Sequence, residues 1–305
     1  MRDCKVCNVC QNPETLENAL EVKEIFSNVR EFQDEKFTVW RCLFCNSIHS
    51  KEWLDLNRYY QNYIVGKSSL NYFIRCAYSG RLNFLRKHGL KKEHKILDYG
   101  CNQGLFLSFL NRLGYTNTFG YDPYVPEYSD TKVLSNKYDF VTGYDVLEHA
   151  DNPRELLARF TSLLTRKGLL VVGTPNADEV NLSEPESLEL HQPFHRHILS
   201  ERALRDMASR NGLNIVGFNK RWYLDTLYPF VNARFALTYV GKSGNLLDVL
   251  VEPPQWKTLF INPQLILYGF VGYFFRWQGN MTAVMQKKDS RISLQQSQKS
   301  LILDL

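Results

Sequence analysis

The chain has 305 residues, 44% hydrophobic and 23% charged, which suits a globular protein of one large domain with appendages or two modest ones. A net charge of +5 tolerates an anionic substrate without demanding one, and no dense Lys/Arg tract of the nucleic-acid type is present. The longest apolar run, Leu265 to Phe275, is too short to span a bilayer, and Met1-Arg2-Asp3-Cys4 does not open a secretory leader, so a cytoplasmic location is expected.

Five of the seven cysteines lie in the first 45 residues. Cys4-x-x-Cys7 and Cys42-x-x-Cys45 are two knuckles, each able to offer two thiolates to one tetrahedral ion. Phe32, Phe37, Val39 and Trp40 lie between them with the alternation of a short β ribbon. Residues 1–50 are therefore read as a zinc-ribbon-like module closed by Cys4, Cys7, Cys42 and Cys45, with Cys10 and His49 as alternative ligands. Four thiolates leave no open position, so such a Zn2+ would be structural. Disulfides or a redox pair are the competing explanations of the same spacing. Residues 51–88 follow with a helical pattern rich in tyrosine and read as a linker that covers the cofactor end of the core; Tyr60 and Tyr63 could reach a ligand.

The core signal begins at Lys95-Ile96-Leu97-Asp98-Tyr99-Gly100-Cys101-Asn102-Gln103-Gly104: an apolar strand, a glycine turn, and a helix from Leu105 to Leu113. Glycine serves there because a side chain would block a ligand or forbid the turn's φ angles. Thr118 to Pro123 forms a second short strand ending in Asp122, an acid placed to accept hydrogen bonds from ribose hydroxyls. A third strand-like run, Tyr138 to Tyr144, ends in Asp145-Val146-Leu147-Glu148-His149, and Gly168 to Asn176 reads as a buried strand. Ser200 caps a helix over 201–210, Asn211-Gly212 stops it, Leu213 to Phe218 is the next strand, and Met281 to Lys287 the last.

The blocks LDYGCNQG, GYDP, YDFVTGYDVLEHADNP and GLLVVGTPN, in this order and spacing, resemble those of class I S-adenosylmethionine-dependent methyltransferases of the small-molecule type, over roughly residues 70 to 220 and the last strand. The resemblance implies an α/β, Rossmann-like class I methyltransferase fold: a mostly parallel seven-stranded sheet with helices on both faces. It implies S-adenosylmethionine as cofactor, with Asp98, Gly100 and Gly104 at its methionine part and Asp122 on its ribose. Cys101 and Asn102 lie in the same loop, and Tyr144 and Asp145 are expected to border the methionine moiety or the substrate. Asn102 stands where the family has a middle glycine, and asparagine tolerates the left-handed region. A dinucleotide oxidoreductase would want G-x-G-x-x-G, which Gly100 and Gly104 do not match.

The core is thus expected over 89–222 and 280–288, interrupted by an aromatic-rich insertion over 223–279. In the resembling family that position carries a substrate lid; a homodimer interface and contact with a membrane surface are the other two readings. The tail, 289–305, is polar and expected to be disordered. His149, beside Asp145 and Glu148, and His195, within His191-Gln192-Pro193-Phe194-His195-Arg196-His197, are the candidate general bases, because imidazole titrates near neutrality. A second metal site at the histidine cluster lacks a carboxylate at convincing spacing. The expected function is methylation of a small molecule such as a sugar, nucleotide-sugar, lipid or other metabolite. The alternatives are methylation of RNA, weakened by the single basic patch of Arg81, Arg86, Lys87, Lys91 and Lys92, and a binding or assembly protein that keeps the fold without the reaction.

Overall fold

A computed structural model describes residues 2, 3, 6–12, 16–54, 59, 60, 69–183 and 187–288. The N-terminal part holds five short strands: β1 (Arg2–Asp3), β2 (Glu21–Phe26), β3 (Lys36–Arg41), β4 (Ile48–Ser50) and β5 (Glu52–Trp53). β1 pairs with β5, while β2, β3 and β4 form an antiparallel sheet in chain order. β3 is the expected ribbon strand, and Phe37, Val39 and Trp40 are all buried, so both of its faces are covered. The helical pattern from residue 51 is corrected in part. Glu52 and Trp53 extend as strand, and α1 spans Tyr72–Lys87, capped by Asn71, whose side chain accepts the Ile74 N–H.

The core then alternates β6 (Ile96–Tyr99), α2 (Leu105–Arg112), β7 (Thr118–Tyr121), β8 (Tyr138–Tyr144), α3 (Pro153–Leu163), β9 (Leu164–Pro175), β10 (His197–Ile198), α4 (Glu201–Arg210), β11 (Leu213–Asn219), α5 (Ala233–Lys242), α6 (Trp256–Ile261), α7 (Pro263–Val271) and β12 (Asn280–Lys287). Its sheet runs β11-β12-β9-β8-β6-β7: the last four are parallel, and β12 is antiparallel to both β9 and β11. The chain leaves β6 on one side to make β7 and returns on its other side to make β8. That reversal opens a crevice at the carboxyl ends of β6 and β8, where α/β sheets bind ligands.

Among the described residues, this sheet has six strands where seven were expected. Between β7 and β8, residues 126–128 and 131–135 form two 3-10 turns, started by Pro126 and by the side-chain cap of Asp130. Proline, serine, aspartate and asparagine in that stretch favour turns over an edge strand. Side chains alternate between the two faces of the sheet. Leu97, Val141 and Val172 pack with Leu157, Phe160 and Leu163 of α3 and Leu204 and Met207 of α4, whereas Ile96, Phe140 and Val171 pack with Leu82 and Leu85 of α1 and Phe106 and Leu110 of α2. Helices thus cover both faces.

Two features join the parts. The two-residue strand β10 adds to the edge of β4, in register His197 to His49 and Ile198 to Ile48, so the loop after β9 is built into the N-terminal sheet. The insertion folds around its own cluster of Phe235, Tyr239, Val240, Val249, Leu265 and Tyr268, while Val231 meets Cys76 and Ala77 on α1. Its outer face leaves Trp256, Phe260, Ile261, Leu267, Phe270 and Phe274 exposed. Among the described residues, no helix is long and apolar enough to cross a membrane. The expected disorder of 289–305 lies outside the described residues.

Candidate active site

The glycine turn has the backbone that its sequence requires. Gly100 (φ 73°), Asn102 (φ 48°) and Gly104 (φ 69°) are all left-handed, which glycine adopts freely and asparagine tolerates. A Cβ on Gly100 would stand 2.5 Å from Val146 Cγ2, and one on Gly104 would overlap the Tyr128 hydroxyl. The turn is held by Gly100 N–H donating to the Tyr121 carbonyl at 2.7 Å and by Asn102 N–H donating to Asp122 Oδ2 at 2.9 Å. Asp122 Oδ1 accepts the Tyr124 N–H at 3.0 Å. Each carboxylate oxygen keeps a second lone pair, and the residue is half-buried, so Asp122 can still take two hydroxyl donors. Burial raises its pKa despite the two amide donors.

Asp98 stands differently. It is 4% exposed, and Thr142 Oγ1 donates to its Oδ1 at 2.6 Å. Burial raises its pKa against the pull of Arg81. Cys101 is buried behind the loop against Gly120, and its thiol is pushed up by burial. Tyr144 ends β8 as a buried ring, and Asp145 follows in the left-handed region (φ 53°), its carboxylate bound by the Tyr223 hydroxyl.

Arg81 corrects the expected basic patch. It is buried, its guanidinium carbon lying 4.0 Å from the Tyr144 ring centre, 4.8 Å from those of Phe106 and Tyr223 and 5.3 Å from that of Tyr78. Its Nε has no hydrogen-bond partner. A buried cation stacked on four rings with an unused donor is not a surface charge for a polyanion. Helical periodicity alone marks Arg81 only as an inward-facing position on α1.

His149 and His195 do meet. Their rings stand 4.9 Å apart, edge to face. His195 Nδ1 donates to the Glu189 carbonyl at 2.6 Å, and His149 Nδ1 faces Tyr60 Oη at 2.9 Å. Burial holds His195 at about 4, and burial followed by His195 holds His149 well below the ordinary imidazole range, so both rings are neutral at pH 7. Tyr60 stacks on Tyr124 at 4.1 Å; Tyr63 lies outside the described residues. Glu148, named from the sequence only as a neighbour of His149, is itself part of the cluster. It is fully buried, Thr174 Oγ1 donates to its Oε2 at 3.0 Å, and its Oε1 has no hydrogen-bond partner. Burial and then Asp145 push its carboxyl well above the usual range. Its backbone carbonyl accepts the Arg196 N–H at 2.8 Å, which pins the histidine loop to the turn after β8.

Cys7, Cys10, Cys42 and Cys45 form the cysteine cluster, all free thiols. Cys7 Sγ lies 3.6 Å from Cys45 Sγ and 3.5 Å from Cys10 Sγ, and Cys10 Sγ lies 3.8 Å from Cys42 Sγ. Four sulfurs at 2.3 Å from one tetrahedral ion stand about 3.8 Å apart, so the cluster has the size of a Zn–S4 site. Hydrogen bonding to Cys42, ahead of burial, pushes Cys45 up to about 12, and the bonds of Cys42 and Cys45 to Cys7 push Cys7 higher still. Cys42 is lowered by those same contacts. Cys4 lies outside the described residues. His49 is not in the cluster: its Nδ1 lies 2.8 Å from His197 Nδ1.

Residues 70–217, just under half of the chain, match the methyltransferase domain family. No curated protein sequence matches the chain. Among solved structures, the chain is similar to a putative sarcosine dimethylglycine methyltransferase from Galdieria sulphuraria, with 15% identity, 77% of this chain and 99% of that one covered, and a TM-score of 0.47. It is also similar to the magnesium protoporphyrin IX methyltransferase of Synechocystis, with 17% identity, 54% and 88% covered, and a TM-score of 0.40. The fold is the Rossmann-like class I methyltransferase fold, and residues 70–217 are the part of the chain that matches the methyltransferase domain family.

Proposed function

We propose that this chain transfers a methyl group from S-adenosylmethionine to a small-molecule acceptor. The observation that carries the reading is the meeting, at the carboxyl ends of β6 and β7, of a left-handed glycine turn with a carboxylate that retains free lone pairs. The cofactor, when bound, supplies a methyl group already activated on a sulfonium. Gly100 and Gly104 keep the approach to the backbone clear, Asp122 accepts the ribose hydroxyls, and Arg81 offers its unused donor to a carboxylate. Tyr144 and Asp145 border the same crevice.

The chain's remaining task is to align the acceptor, exclude water and take up its proton. The His149–His195 pair is neutral at pH 7 and so offers lone pairs at the acceptor, but the burial that lowers both rings also makes them weaker bases than free imidazole. The insertion reaches the site through Tyr223, and we assign it as the wall that covers the acceptor. Burial of Arg81 removes a charge from the surface that an RNA would use, which favours a small acceptor. We assign a structural zinc to Cys7, Cys10, Cys42 and Cys45; with Ser50 and His49 on β4 beside Gln192 and His197, that module would brace the histidine loop.

The test is a methyl-transfer assay with isotopically labelled cofactor against panels of hydroxyl, amine and activated C–H acceptors. His149→Ala and His195→Ala should each lower the rate roughly 10²-fold while cofactor affinity is kept. Full activity in both variants sinks the role of the pair.

A further inference from the structure

We infer that Glu148, His149 and His195 hold a divalent metal ion that binds and ionises a hydroxyl acceptor beside the cofactor crevice. This rests on the methyltransferase reading above and narrows it to O-methylation. The three residues can each turn one ligand atom into a common space, all within 4.8 Å of one another. Ligand atoms on a four-coordinate ion at 2.0–2.1 Å stand about 3.4 Å apart, so rotations of about 1 Å close the set.

An independent observation points to an absent cation. Glu148 is fully buried, Oε2 accepts from Thr174, no hydrogen-bond donor reaches Oε1, and its carboxyl lies against that of Asp145. Two buried carboxyls in contact are costly as anions unless a shared proton or a cation offsets their charge. The ring atoms are prepared as well. His195 donates Nδ1–H to the Glu189 carbonyl, which leaves the lone pair on Nε2, and a backbone carbonyl at the far nitrogen is the usual outer support of a metal-bound imidazole. His149 exchanges its contact with Tyr60 Oη for the ion. The carboxylate that seemed missing from the histidine cluster is thus the immediate neighbour of His149, 47 residues before His195.

Two imidazoles and one carboxylate leave positions open, the arrangement of ions that bind substrate. Two open positions suit an acceptor with two oxygens on adjacent carbons, a vicinal diol or a hydroxy acid. Bound to the ion, the acceptor O–H loses its proton to solvent water, since the ion lowers the pKa of an oxygen that it holds. The oxygen lone pair then forms the new O–CH3 bond as the S–CH3 bond breaks, its electrons returning to sulfur and neutralising the sulfonium. The imidazoles thereby act as ligands rather than as direct proton acceptors.

The test is calorimetric titration of Mn2+, Zn2+ and Mg2+, separately, into protein whose thiolates already carry zinc, alongside titration with S-adenosylmethionine. At least one ion should bind at one per chain, and Glu148→Gln and His195→Ala should each weaken it tenfold or more while cofactor affinity stays within twofold. His195 is less buried than Glu148, so its variant remains informative if Glu148→Gln misfolds. Normal cofactor binding with no ion taken up in a manner dependent on Glu148 or His195 overturns the inference alone. Failure to bind the cofactor overturns the reading beneath it.

Discussion

Replacement of Arg81 by methionine separates what the fold needs from what a ligand needs. The guanidinium is 8% exposed, lies over four aromatic rings and has an unpartnered Nε. Asp98 acts on it through space, but among the described residues no carboxylate forms an ion pair with it. Cation–π contacts are worth roughly 0.5–2 kcal/mol each, while burying a cation costs several kcal/mol. The two nearly cancel, so Arg81→Met should change unfolding free energy by about 1 kcal/mol or less. A charge-assisted hydrogen bond to a cofactor carboxylate is worth about 1.5–3 kcal/mol. Affinity for S-adenosylhomocysteine should therefore fall roughly 10- to 150-fold. Urea denaturation and calorimetry on one preparation measure both quantities. Unchanged affinity, or a stability loss above about 3 kcal/mol, refutes the argument that this charge is kept for a ligand.

Three further outcomes follow from the geometry. Gly100→Ala puts a Cβ 2.5 Å from Val146 Cγ2 at φ 73°, costing about 1–2 kcal/mol from the backbone alone, and should reduce cofactor affinity at least tenfold; equal affinity by calorimetry would contradict the cradle. Metal analysis should find about one thiolate-bound zinc per chain, and Cys42→Ser should lose it together with more than 10 °C of melting temperature, because binding energy at such a site is folding energy. Zinc-free protein with wild-type melting would refute the assignment. His197 is buried and held at about 4 by burial, below its unfolded value near 6.5. Its contribution is fully present above pH 6.5 and is lost as pH falls toward 4, by up to about 3 kcal/mol, so His197→Gln should flatten the pH dependence of urea midpoints across that window; parallel profiles would count against it.

How much was legible depended on how local the cause was. The strands around Asp98, Asp122 and Tyr144 and the helix capped by Ser200 announce themselves through apolar runs, glycine turns and a side-chain cap, all settled within a few residues. The seventh strand is an expectation of the family resemblance alone, and between β7 and β8 the turn-forming residues of 126–135 make two 3-10 turns instead. The joining of β10 to β4 links Ile198 to Ile48 through only two residues per strand, too short for any periodicity to reveal. Cys10, an alternative ligand on sequence spacing, enters the sulfur cluster through the turn between it and Cys7. Arg81 counts in the sequence as one of a basic patch, and Glu148 only as the neighbour of His149; the rings stacked around one and the full burial of the other give them their place in the site.

The proposed place of the sulfonium nucleoside is where the glycine turn meets Asp122. Calorimetric titration of S-adenosylmethionine into the intact protein and into Asp122→Asn tests it most directly. One site per chain is predicted, weakened at least tenfold in the variant as charge-assisted hydrogen bonds to the ribose become neutral ones. No binding to the intact protein, or equal binding by both, would contradict it.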